Sequence, residues 1–269
     1  MKIRIMSSNI WGNCPVECPI ADRDDKMAAV FHRHKPDVIG IQECSPKVRK
    51  ETRNIFTLTE DDYAEVPVEP INSKKNDYTP IIYRKAELDL IDFGWHLFDG
   101  LNDAGSKSIT WALFETKKEQ KRFVVINTHF YWKKTNFGRA TRINNTGSLM
   151  YYYWLLSEKY DCPIFVTGDF NCTVNEPPLK TLMMYGLLSA RYSAKKSSPY
   201  SSHHAYPKFD SAKDTYTDGT MPSEDRDESI DHIFVGGLPS EKIKKFTTVT
   251  DKGALEASDH CPIFVEADI

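Results

Sequence analysis

Short apolar runs recur along the chain, each adjoining a polar residue, and they alternate with stretches of helical spacing. Lys2 to Ser8 alternates with Ile3 and Ile5 on one face, which predicts a strand running into Asn9. Asp22 to His34 carries Met27, Val30 and Phe31 at helical spacing after an acidic start, and Lys35-Pro36-Asp37 stops it. Val38 to Gln42 predicts a second buried strand, closed by Glu43, and residues 46–58 predict a helix. Asp77 to Tyr83 and Leu88 to Phe93 predict strands around a charged turn, with 94–108 a loop rich in Gly, Asp and Ser. Ser108 to Glu115 and Arg122 to Thr128 predict a hairpin with a charged tip, and His129 follows its second strand. Arg139 to Glu158 predicts a long helix with Leu149, Tyr152, Tyr153 and Leu156 inward.

The stretch Cys162 to Asn175 holds the densest chemistry. Ile164-Phe165-Val166 suits a fully buried strand, and Gly168 is expected to turn the chain where that strand ends. Asp169 and Asn171, two residues apart, are expected to point the same way. A helix near Pro178 to Tyr185 follows, then an irregular polar stretch over 193–228, too long for a plain connector and expected to border the substrate. In it His203-His204 reads as a solvated pair. Strands over Ile230 to Val235, Lys244 to Val249 and Pro262 to Ala267 complete the pattern. Strands spread over the whole length predict one α/β domain spanning 1–269.

Composition narrows this only slightly. With 269 residues and a formal charge of −3, the chain is not a strongly basic nucleic-acid coat protein. It has no apolar run of transmembrane length, and the start MKIRIMSSNIWG lacks the apolar core of a signal peptide, so a cytoplasmic protein is expected. Cys14 and Cys18 have knuckle spacing, but no second pair completes a zinc site, and the six cysteines are expected as reduced thiols.

Polar residues recur where predicted strands begin or end: Asn9, Glu43, His129, Asp169 with Asn171, Asp231, and Asp259 with His260. Strand ends in an α/β sheet form a natural crevice, where carboxylates far apart in sequence can meet. Oxygen ligands without a cysteine or histidine cluster suit Mg²⁺ or Mn²⁺.

The ordered motifs SNIWG, PDVIGIQE, NTHFYW, TGDFN, SIDHIFV and SDHCPIF resemble those of the endonuclease/exonuclease/phosphatase (DNase I-like) superfamily over nearly the whole chain. The resemblance implies a four-layer α/β/β/α sandwich of two stacked mixed sheets, and a metal-dependent phosphoesterase with Mg²⁺ or Mn²⁺. It implies Glu43 as the main metal ligand with Asn9 and Asp259 assisting, and Asp169 as the base for the attacking water. Asn171 and His129 would contact phosphate, and His260 would pair with Asp231.

NTHFYW followed by Arg142-Ile143-Asn144-Asn145 is similar to the deadenylase and 2′-phosphodiesterase branch, with Asn145 in place of the usual glutamine. Trp132, Lys133, Lys134, Arg139 and Arg142 are then the candidate substrate contacts, since rings stack on unpaired bases and cations pair with backbone phosphates. The expected substrate is single-stranded or short nucleic acid, with no obligate protein partner. The alternatives are an inositol-phosphate or nucleotide phosphatase, a phospholipid phosphodiesterase, or a catalytically silent binding module.

Overall fold

The computed structural model describes residues 1–12, 20–67, 79–98, 107–204, 209–210, 212–213, 215–216 and 220–269. Cys14 and Cys18 lie outside them; Cys44, Cys162, Cys172 and Cys261 are free thiols. The strands are β1 (Lys2–Asn9), β2 (Val38–Gln42), β3 (Tyr63–Glu65), β4 (Ile81–Arg84), β5 (Leu88–Leu97), β6 (Ser108–Thr116), β7 (Arg122–His129), β8 (Ile164–Asp169), β9 (Leu188–Ser189), β10 (Lys196–Ser197), β11 (Phe209–Asp210), β12 (Thr215–Tyr216), β13 (Asp231–Gly236), β14 (Ile243–Thr248) and β15 (Ile263–Asp268). The helices are α1 (Ile20–His34), α2 (Pro46–Lys50), α3 (Ile55–Thr59), α4 (Asn136–Tyr160), α5 (Pro177–Met184), α6 (Ala190–Ser193) and α7 (Lys252–Ala257).

Apart from the small β11–β12 ladder, the strands form two mixed sheets, a seven-stranded one ordered β10-β14-β15-β1-β2-β4-β3 and a six-stranded one ordered β5-β6-β7-β8-β13-β9. Period-2 alternation divides their side chains between two faces. The inward faces meet through Ile3, Ile5 and Val265 from one sheet and Phe123, Phe165 and Val235 from the other. Outside the first sheet, Met27, Phe31 and Ala254 of α1 and α7 cover Met6, Ile41 and Phe264. Outside the second, Leu149, Leu156, Leu179 and Leu182 of α4 and α5 cover Val124, Ile126, Val166 and Phe234. This is the four-layer sandwich that the motifs imply.

Each sheet has the same centre. β1 runs parallel to β2 and antiparallel to β15; β8 runs parallel to β7 and antiparallel to β13. The C-terminal ends of β1, β2, β7 and β8 therefore share their edges with the starts of β15 and β13. Asp169 pairs with Asp231 across one ladder and with His129 across the other.

Several expected elements shift. The helix expected over 46–58 is broken between α2 and α3, because Asn54 caps α3 by accepting from the N–H groups of Phe56 and Thr57. α4 starts at Asn136, where Thr135 caps it by accepting from the Gly138 N–H. The strand expected over 77–83 is observed as β4, with 68–78 outside the described residues, and β5 continues into the expected 94–108 loop, of which 99–106 are likewise outside.

Candidate active site

The site is assembled where those strand ends meet. Trp11, Glu43 and Asn171, each just past such an end, adopt left-handed backbone with φ of 52°, 60° and 51°. A non-glycine residue there carries strain of order 1 kcal/mol, and such strain concentrates at functional sites. Gly12 packs so closely that a Cβ would fall 1.8 Å from the Glu43 carbonyl oxygen, so only glycine lets the loop after β1 lie against Glu43. Gly168 does not turn the chain. It lies within β8, where a Cβ would sit 2.4 Å from the Thr128 carbonyl oxygen, and its role is to let β7 and β8 close up so that His129 and Asp169 adjoin. The turn falls at Asn171.

Hydrogen bonds then join residues from both sheets. Asn9 Nδ2 donates to Glu43 Oε1 at 3.1 Å and to Asp169 Oδ2 at 3.0 Å, while Asn9 Oδ1 accepts from the Trp11 N–H at 2.9 Å. Asn9 thus clamps two carboxylates with its amide N–H groups, and offering its oxygen to a metal would require the carboxamide to turn over. Asp169 Oδ1 accepts from the Asn171 N–H at 2.8 Å, and Oδ2 lies 3.4 Å from His129 Nε2. Asn171 Nδ2 donates to the Phe130 carbonyl oxygen at 3.0 Å and lies 3.2 Å from His129 Nε2. On the far side His260 Nδ1 meets Asp231 Oδ2 at 2.8 Å, and His260 Nε2 points back within 3.9 Å of Asp169 Oδ2 and 3.8 Å of Asp259 Oδ1.

Burial sets the electrostatics. Burial alone would drive a proton off His260, yet the carboxylates of Asp231, Asp259 and Asp169 hold its pKa well above the ordinary histidine value. Burial also pushes the Asp169 carboxyl up, but the His129 hydrogen bond, the charges of His129 and His260 and the Asn171 N–H outweigh it and hold the group below the usual range. The result is an ionised carboxylate facing an imidazolium. Asp259 is pushed up to about 6 by burial, with the charges of Glu43 and Asp169 adding to the effect.

The donor set fits a hard divalent cation. Asp259 Oδ1 is buried without a hydrogen-bond partner, and the charges of Glu43 and Asp169 act on the Asp259 carboxyl. Removing such an oxygen from water is costly unless something positive compensates. Glu43, His129 and Asp169 also place ligand atoms within 4.8 Å of one another.

Around this floor the substrate candidates divide. Trp132 is 53% exposed, and Lys133, Lys134 and Arg139 are exposed. The Lys133 ammonium lies 5.5 Å from the centre of a Trp132 ring, and the Lys134 charge reaches the ring of His203. Arg142 is different: it is 3% exposed, and its Nη1 donates to the Tyr131 and Lys133 carbonyl oxygens, both at 3.0 Å. It braces the loop from below and does not stand where a phosphate would reach it. A guanidinium in the first two turns of a helix looks alike in sequence whether it faces solvent or caps carbonyls.

Two residues that the sequence did not single out, Ser202 and Lys107, belong to the surroundings, as does the pair His203-His204. Ser202 Oγ donates to Asp231 Oδ2 at 2.7 Å and accepts from the Asp231 N–H at 3.0 Å, fixing the carboxylate that orients His260. Buried Lys107 sets its Nζ 3.0 Å from His129 Nδ1. The His203-His204 pair is solvated only in part: His204 is buried with Nε2 2.9 Å from the Ser258 carbonyl oxygen, while His203 is exposed with its ring edge-on to His260. Nothing in a polar loop sequence marks the contacts of Ser202, His203 and His204, which arise because 202–204 lies along 259–261.

Comparison with known proteins agrees with this architecture. The profile described as Endonuclease/Exonuclease/phosphatase family matches residues 6–260, and the chain belongs to that family of phosphoesterases. No curated protein sequence matches it. Among solved structures, a mannosyl-6-phosphatase from Bacteroides thetaiotaomicron superposes with a TM-score of 0.76 at 18% identity, covering 99% of this chain and 100% of that one. The human Nocturnin catalytic domain with bound sulfate gives 0.69 at 16%, covering 99% and 94%. Danio rerio (D. rerio) TDP2, complexed with a single-strand DNA product, gives 0.65 at 16%, covering 100% and 99%. At these identities the likeness is one of fold. No described helix is long and apolar enough to cross a membrane.

Proposed function

We propose that this protein hydrolyses phosphoesters with Mg²⁺ or Mn²⁺ by in-line attack of water, on single-stranded or short nucleic acid. The observation that carries the chemistry is Asp169 Oδ2 set 3.9 Å from His260 Nε2, with burial and neighbouring charges holding the Asp169 pKa low and the His260 pKa high. Asp169, steadied by Asn9 and the Asn171 N–H, takes a proton from the attacking water as its oxygen bonds to phosphorus. His260 Nε2 gives its proton to the ester oxygen as the old P–O bond breaks, while Asp231 holds the ring through Nδ1. Asn171 and His129 face the phosphate oxygens and stabilise their charge. Glu43 and Asp259, with Asn9 beside them, would hold the cation, which would supply positive charge against those oxygens.

Exposed Trp132 with Lys133 and Lys134 supports a nucleic-acid substrate, as does the single-strand product on the D. rerio relative. Burial of Phe130, Tyr131 and Arg142 reduces that surface and favours a second reading, a phosphomonoesterase, which also agrees with the mannosyl-6-phosphatase relative. Single-turnover hydrolysis of single-stranded RNA and DNA, abasic duplex, nucleotides, inositol phosphates and sphingomyelin tests both. EDTA should abolish activity and Mg²⁺ or Mn²⁺ restore it; full activity in excess EDTA would end the metal-dependent reading.

A further inference from the structure

The loop segment 201–204 is bound tightly into the site. The Ser202 carbonyl oxygen accepts from the Cys261 N–H at 2.8 Å, and the His204 N–H donates to the Asp259 carbonyl oxygen at 3.1 Å. That short ladder sets exposed His203 opposite His260, their ring centres 5.2 Å apart and their planes 85° to one another. His203, Asp259 and His260 each bring one ligand atom within 4.8 Å of the others. We infer that these three residues form a second cation site, selective for a borderline transition metal such as Zn²⁺, that shares Asp259 with the oxygen-rich Mg²⁺ or Mn²⁺ position at Glu43.

Four features point to a ligand. The set is two imidazoles and one carboxylate, which suits Zn²⁺ and not Mg²⁺. Asp259 Oδ1 is buried with no hydrogen-bond partner and lies 3.8 Å from His260 Nε2. A tetrahedral ion with bonds near 2.0 Å sets its ligands about 3.3 Å apart, so a small side-chain movement closes the gap. Finally, His260 Nδ1 already bonds Asp231 Oδ2 at 2.8 Å, and zinc-bound histidines almost always give their other ring nitrogen to a carboxylate in this way.

The site itself needs no catalysis, but its consequence rests on the role proposed above for His260. A metal on Nε2 occupies the lone pair that would carry the proton for the leaving group, so Zn²⁺ inhibits hydrolysis.

Zinc affinity of the full chain, stripped of metal and carrying Cys14→Ser and Cys18→Ser, is measured by competition with a chromophoric chelator. One Zn²⁺ should bind per chain. His203→Gln should weaken it at least as much as losing an outer-sphere partner does, about 10- to 100-fold, and Asp231→Asn should weaken it within that range. The ratio of Mg²⁺-supported rates with and without Zn²⁺ is read within each variant, so a change in basal rate cancels. That ratio should fall well below one in the parent and return towards one in His203→Gln. Absence of stoichiometric binding, or equal affinity in His203→Gln, overturns the site. A chain that binds Zn²⁺ through His203 but hydrolyses no phosphoester keeps the site and removes the catalytic reading.

Discussion

The floor of the cleft and its rim are built on different terms. Asn9, His129, Asp169, Asp231 and His260 are buried, and ladders and hydrogen bonds tie them together from both sheets. Trp132, Lys133, Lys134 and Arg139 stand in solvent on one loop and the first turns of α4. In the floor a charge is held in a low-dielectric setting by a named partner, so each group has a set direction. On the rim the same charges are hydrated and screened, so each contributes little and can be rearranged. On the proposed reading, chemistry is specified by the floor, and substrate choice is left to the rim.

The largest effect that could break this contrast is in the floor. Asp169→Asn keeps the shape but removes the proton acceptor, and single-turnover hydrolysis should slow about 10²–10⁴-fold while a cooperative thermal melt shows the fold retained. A rate near the parent's would remove Asp169 from its role.

The support beneath the floor should give a pH signature. His232 is buried with Nε2 3.1 Å from the Cys172 carbonyl oxygen, and burial, with the Arg191 charge, lowers its pKa to about 4. Unfolding returns it to the ordinary 6.5, so between 6.5 and 4 the unfolded chain binds more protons. Stability from neutral His232 is thus full above 6.5 and is lost as pH falls towards 4, by roughly 3 kcal/mol. Denaturant melts of His232→Phe should show a shallower loss across that window; equal slopes would refute it.

Arg142 joins the two regions. Arg142→Ala strips two carbonyls of their charged donor and should cost about 2 kcal/mol by denaturant titration. A substrate contact alone would leave stability unchanged.

The smallest effect belongs to the rim. Lys133→Ala with Lys134→Ala should weaken oligonucleotide binding and make its salt dependence shallower, by about 0.7 in log–log slope for each phosphate no longer neutralised, with metal dependence unaltered. Parent-like binding, or far faster turnover of an inositol phosphate or phospholipid, favours the phosphatase reading.

Sequence by itself marked the longer strands, their polar ends and the order of the motifs, but not the short strands β3 and β9 to β12, because burial of alternate side chains leaves a local, periodic trace in Ile3, Ile5, Phe165 and Val166 that two or three residues cannot show. It also marked the floor residues, since a lone Glu43 or His260 beside an apolar run stands out. Tertiary structure alone decided what meets across the sheets. Ser202 and His203 come from a polar loop with no period to read, and they reach Asp231 and His260 only because residues 202–204 pair with 259–261. Arg142 and Arg139 belong to the same helix start, yet one is buried under carbonyls and the other is hydrated. That difference depends on which side of α4 the 130–134 loop covers, and the covering chain is not encoded within the helix's own residues.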